Sequence, residues 1–149
     1  MKLEFSGAPE ITASPQTVWS KLLDPDFVAA SAPGVESVER LDPAHFKVIS
    51  GVGVGGLKVR FTLDVELFDI VEGRRLKMRA QGTGPGSNVE VVSSLQVEDA
   101  GGGKTRLNWS ATSDLSGTVA SVGGRLLEGV ARRLTEEFWT DFASRAGTG

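Results

Sequence analysis

Gly51, Gly53 and Gly56 in the stretch GVGVGG fall at the spacing G-x-G-x-x-G, which dinucleotide-binding proteins use to bring backbone close to a pyrophosphate. That chemistry needs a strand before the glycines and a helix N-terminus after them. The next residues are LKVRFTLDVEL, in which Leu57, Val59, Phe61, Leu63, Val65 and Leu67 alternate with Lys58, Arg60, Thr62, Asp64 and Glu66. Strict alternation is the pattern of a half-buried strand. The preceding HFKVIS alternates too, with Phe46 and Val48 on one side and Lys47 on the other. Two alternating strands around a glycine-rich turn form a hairpin, where glycine supplies a positive φ cheaply. No helix dipole would face this loop, so neither NAD nor FAD is expected to bind there.

Other reactive chemistry is limited by the inventory. The chain has no cysteine, which removes disulfides, thiol nucleophiles and thiolate metal sites. It has one histidine, His45, so a Ser-His-Asp triad would have to use it and a two-histidine metal site cannot form. His45 sits in LDPAHF, where Asp42 and Pro43 mark a turn, and is expected to be a solvated turn residue. No catalytic residue, cofactor or metal is expected.

The net charge of −3 is spread over 149 residues without a dense run of Lys or Arg. Nucleic-acid binding and polybasic attachment to anionic lipid both need such a run, so neither is expected. The N-terminal MKLEFSGAPEI has no apolar signal region, and no segment approaches the length of a membrane span. A cytoplasmic protein is expected, with one domain over residues 1–146 and a short tail at 147–149.

These residues must be positioned by a simple succession of elements. Residues 2–12 alternate as a first strand. SPQTVWSKLL then begins a helix at Ser14 and Pro15, with Val18 and Leu22 on its buried side and Trp19 beside them. DPDFVAASAPG repeats the signal at Asp24 and Pro25 and stops at Pro33 and Gly34. Strands are predicted near 35–41, 45–53, 57–70, 74–83, 87–98 and 104–115, separated by DPAH, GVGG, VEG, GPG and DAGGG. From about Gly117 to Ala146, Val119, Val122, Leu126, Val130, Leu134, Phe138 and Phe142 recur at helical spacing. A helix about 40 Å long cannot bury such a stripe alone and must lie across the sheet.

This order predicts an α+β helix-grip fold: a seven-stranded bent antiparallel sheet around a long C-terminal helix, with two short helices after the first strand. Three stretches resemble the CoxG family, the carbon monoxide dehydrogenase G subunit, of the START/Bet v 1-like (SRPBCC) superfamily. They are ITASPQTVWSKLLDPDFVAASAPGVESVE (11–39), GGLKVRFTLDVEL (55–67) and SVGGRLLEGVARRLTEEFWTDF (121–142).

The alternation assigns an inner face with no charged residue or histidine. Phe46, Val48, Phe61, Leu63, Met78, Ala80, Val91, Ser93, Leu95, Trp109, Ala111 and Ser113 lie on it, and Val122, Leu126 and Val130 approach it from the last helix. Small residues gather there: Ala80, Gly82, Ser93, Ala111 and Ser113. Either larger side chains opposite fill the space, or the space is a site with apolar walls and a few hydroxyls. Gly123, Gly124 and Gly129 interrupt the last helix, and admit close packing, a flexible lead-in or a ligand portal. Phe138, Trp139 and Phe142 are expected to be core and rim.

The resemblance favours the cavity. It implies a non-catalytic carrier of a hydrophobic, lipid-like or quinone-like ligand, accessory to a molybdenum hydroxylase such as carbon monoxide dehydrogenase. The fifteen residues named above would be its ligand-binding set. With the chain ending at Gly149, membrane contact is expected to be at most peripheral. The same fold also admits a polyketide cyclase/dehydratase-like enzyme or a ligand-free interaction module.

Overall fold

Two proline-led helices and a run of alternating strands occur in the predicted order. The computed structural model describes residues 1–54 and 56–148. The strands and helices are β1 Lys2–Gly7, β2 Glu10–Ile11, α1 Pro15–Leu22, α2 Pro25–Ser31, β3 Val35–Asp42, β4 His45–Val54, β5 Leu57–Val71, β6 Arg75–Gly84, β7 Ser87–Gly101 and β8 Lys104–Gly117. A short 3₁₀ helix, Thr118–Val122, then leads into α3, Gly124–Thr148.

Each helix start has its physical cause. The Ser14 hydroxyl accepts from the Thr17 N–H at 3.2 Å, and Pro15 occupies the first turn, where its missing N–H costs nothing. Asp24 does the same for α2, accepting from the N–H groups of Asp26 and Phe27. Arg145 of α3 closes the other end of α2. Its guanidinium donates to the Phe27 carbonyl at 3.0 Å and to the Ser31 hydroxyl at 2.8 Å, and lies 4.3 Å over the Phe27 ring.

The sheet is antiparallel throughout, in the order β1-β8-β7-β6-β5-β4-β3, with β2 also paired to β8. The first strand expected over residues 2–12 is thus two. Gly7 pairs with Trp109 and Glu10 with Arg106, while between them the Pro9 carbonyl takes the Leu107 N–H. A proline cannot donate to the ladder, so pairing breaks there. Gly51 and Gly53 lie within β4, opposite Arg60 and Lys58, and Gly56 turns the hairpin at φ +82°. Gly55 lies outside the described residues. A strand, β5, comes after the glycines where a dinucleotide fold would place a helix.

The long last helix is also divided. Gly123, at φ +102°, separates the 3₁₀ helix from α3, because only glycine adopts that backbone without strain. The glycine pair is therefore a joint, and α3 continues past Ala146 through Gly147 to Thr148. Gly149 lies outside the described residues.

α3 packs its buried side on the inner face of the sheet in two separate places. Around its C-terminal half, Phe142 and Ala146 join Ile11, Val18, Trp19, Leu22, Phe46, Leu67, Leu76 and Leu107. Phe138 and Trp139 pack against this core, as expected of them. Around its start, Leu127 joins Val59, Phe61 and Val119, with Val122 and Val130 against them.

Candidate ligand-binding site

Strand register brings the predicted inner-face residues into rows across the sheet. One row runs Leu3, Ser113, Val91, Ala80, Val65, Phe46. The next runs Phe5, Ala111, Ser93, Met78, Leu67. On one side of this pair lie Trp109 and Leu95; on the other lie Leu63 and Val48. With Phe61, Val122 and Val130 packed at the start of α3, fourteen of the fifteen predicted residues lie on the facing sides of sheet and helix.

Leu126 is the exception. It is 42% exposed, while its neighbour Leu127 is 3% exposed and carries the packing. The series Leu126, Val130, Leu134, Phe138, Phe142 steps by four residues, and each step turns about 40° beyond a full circle. Over four steps the drift is about 160°, which carries Leu126 away from the face that buries Phe142.

The middle of the site is packed differently from its ends. Among the described residues, Val48, Ala80, Val91, Ser93, Ala111 and Ser113 belong to neither apolar core, nor does Leu134 of α3. Ala80 is buried, but Val48, Val91, Ser93, Ala111 and Ser113 are only partly so. The hydroxyls of Ser93 and Ser113 have no hydrogen-bond partner among the described residues, yet no buried side-chain polar atom there lacks one. Both hydroxyls are therefore accessible to solvent, although their strands present this face to the helix.

Gly82 differs from the other small residues. A Cβ there would lie 2.8 Å from Val89 Cγ1 and would collide with Leu63 Cδ2. Its smallness is used by packing, so it leaves no space. The opposite correction applies in α3: a Cβ on Gly129 would meet nothing within 4 Å, so close helix–sheet approach does not explain that glycine.

An aromatic wall bounds the site on one side. Trp109 and Trp139 stack with ring centroids 5.5 Å apart, Phe138 stands edge-on to Trp139 at 4.8 Å, and Phe142 is edge-on to Phe27 at 5.4 Å. Trp109 lies over Gly7, where a Cβ would come within 2.9 Å of its Nε1.

Charged side chains of the strands pair with one another across the outer face of the sheet. Arg60 donates from Nε at 3.0 Å and Nη2 at 2.9 Å to Glu36, and Glu66 lies 3.9 Å from Arg79. His45 is exposed beside its turn: Nδ1 donates to Asp42 at 2.8 Å, and Nε2 lies 3.3 Å from Glu66. The hydrogen bond to Asp42 raises the imidazole pKa above its ordinary 6.5, and Glu66 adds to this. Asp42 is held below its ordinary 3.8, first by the Ala44 N–H and then by His45. Among the described residues no acidic or histidine cluster could hold a metal ion, and no helix is long and apolar enough to cross a membrane.

Sequence analysis missed a second feature, an open groove of about 700 Å³ where the 3₁₀ helix meets α3. Val122, Gly123, Gly124, Arg125, Leu126, Gly129, Val130 and Arg133 line it. Helical spacing could have shown that residues 125, 126, 129, 130 and 133 share one side, but the joint at Gly123 could not be read from it.

Solved structures share this architecture. A conserved protein from Geobacillus kaustophilus is 25% identical with a TM-score of 0.89, over 98% of this chain and 96% of that one. A START superfamily protein from Mycobacterium smegmatis is 14% identical at TM-score 0.72, over 97% of each chain. The Zhui aromatase/cyclase from a Streptomyces species is 19% identical at 0.72, over 98% and 94%. The fold is START/Bet v 1-like. No curated protein matches the chain. The sequence model of one family, described as the carbon monoxide dehydrogenase G subunit, does match, over residues 7–147, and the chain belongs to that CoxG family.

Proposed function

We propose that this chain is a single-domain, cytoplasmic, non-catalytic carrier for a hydrophobic molecule, lipid-like or quinone-like, held between the middle of the sheet and α3. We further propose that it serves as an accessory to a molybdenum hydroxylase such as carbon monoxide dehydrogenase. Family membership and fold suggest the binding role, and one observation carries its location: two separate apolar cores leave small, partly exposed inner-face residues between them. Apolar walls with a few hydroxyls are the usual make-up of a small-molecule site. Ser93 and Ser113 would meet a carbonyl or hydroxyl of the ligand, and the Trp109–Trp139 stack would border its flat or branched part. A cyclase-like activity has less support, because general acid–base catalysis needs a titratable group within reach of substrate and the inner-face rows carry none.

Ser93→Phe tests the location. Titration of the parent with a naphthoquinone is expected to show saturable binding, and the variant should remain folded and bind at least about tenfold more weakly, as bulk takes the ligand's place. Equal affinity in both proteins would place the ligand elsewhere, and no binding by the parent would count against the carrier.

A further inference from the structure

The groove at the start of α3 borders the second apolar core, because Val122 and Val130 line the groove and also pack against that core. Its mouth is cationic. Arg125 and Arg133 both line it, and among the described residues no acidic one does. Among the described residues Arg125 has no ion-pair partner, while Arg133 reaches only Glu137, at 3.9 Å. Eight residues apart on one helix, their backbones are about 12 Å apart along the axis and within about 80° of each other around it. Between them lie exposed Leu126 and Gly129. Gly129 costs up to about 1 kcal/mol against alanine in a helix interior, and neither packing nor a positive φ calls for it. What the glycine preserves is open space.

We propose that the groove seats the head of an anionic amphiphile: a single apolar chain ending in a carboxylate, the acid between Arg125 and Arg133, the chain passing Val122 and Val130 toward the inner face. Charge complementarity fixes the head, since guanidinium groups pair with carboxylate oxygens through charge-assisted hydrogen bonds. Contact with the second apolar core through Val122 and Val130 sets the direction of the tail. This inference rests on the carrier reading above and narrows its ligand class to an acid.

The test uses cis-parinaric acid and its methyl ester, which differ in charge but share a chain. The parent should bind the acid about tenfold more tightly than the ester, the factor that one charge-assisted hydrogen bond supplies. Arg125→Gln combined with Arg133→Gln should remove that preference and leave ester affinity unchanged, and added salt should weaken the acid alone. Gly129→Leu should keep the fold, because nothing lies within 4 Å of its added Cβ, and should weaken the acid by filling the groove. Equal binding of acid and ester, unaltered by the double substitution, would overturn the acidic head while leaving a neutral carrier intact. Binding of naphthoquinone with neither parinaric probe would do the same. Sedimentation with phosphatidylglycerol but not phosphatidylcholine vesicles, lost in the double variant and without uptake of free parinaric acid, would overturn it in favour of a bilayer surface.

Discussion

Gly82 and Ala111 are both small, both on inner-face strands, and should respond oppositely to enlargement. At Gly82 even one methyl group meets Val89 at 2.8 Å and Leu63 closer still. Both neighbours pack in the second apolar core, and the β-branched Val89 has little χ1 freedom with which to yield. Overpacking of this kind costs about 1–3 kcal/mol, partly offset by the roughly 0.5–1 kcal/mol that alanine gains over glycine in a strand. Gly82→Ala should therefore lose up to about 2.5 kcal/mol, or up to about 10 °C in melting temperature for a domain of this size. Ala111 belongs to neither core and is only partly buried. Ala111→Leu adds three carbons yet should stay within about 1.5 kcal/mol of the parent, because on the carrier reading those carbons take the ligand's place. Urea unfolding of the ligand-free proteins measures both. A stable Gly82→Ala beside an Ala111→Leu that loses about 3 kcal/mol or more would refute the proposal that an open middle lies between the two packed ends.

His45 gives a pH signature. Its folded pKa is raised, so its contribution is fully present below about 6.5 and is lost as pH rises through the higher folded value; Asp42, lowered, contributes above about 3.8 and fails as pH falls through its depressed value. His45→Gln should therefore lower the thermal midpoint more at about pH 5 than at about pH 8.5, and an equal effect at both would contradict the Asp42–His45–Glu66 clip. Phe142, fully buried at the centre of the aromatic group, should cost about 3–5 kcal/mol when replaced by alanine; a loss under about 1 kcal/mol would mean α3 is misplaced.

Much of this fold is legible in local chemistry. Ser14-Pro15 and Asp24-Pro25 announce α1 and α2, and the alternation from Lys58 to Leu67 both assigns a strand and dismisses the glycine fingerprint before it. What local pattern misreads is longer in range. The i,i+4 series in α3 looks like one stripe, but its cumulative rotation turns Leu126 outward and makes Leu127 the packing residue. Gly123 reads as a weak helix position, and only its φ of +102° makes it a joint. The inner face comes from parity alone, whereas which small residues border space depends on neighbours across the sheet. Gly82 is enclosed by Leu63 of β5 and Val89 of β7, a fact of three-strand register that no single segment records.

The central proposal is that the middle of this fold, between the two apolar cores, holds an apolar molecule. Native mass spectrometry of protein purified from its own host tests it most directly. The parent should carry a stoichiometric apolar adduct that organic extraction releases, and Ser93→Phe should run at its bare mass. A parent at its bare mass that also fails to take up naphthoquinone or parinaric acid would contradict the account.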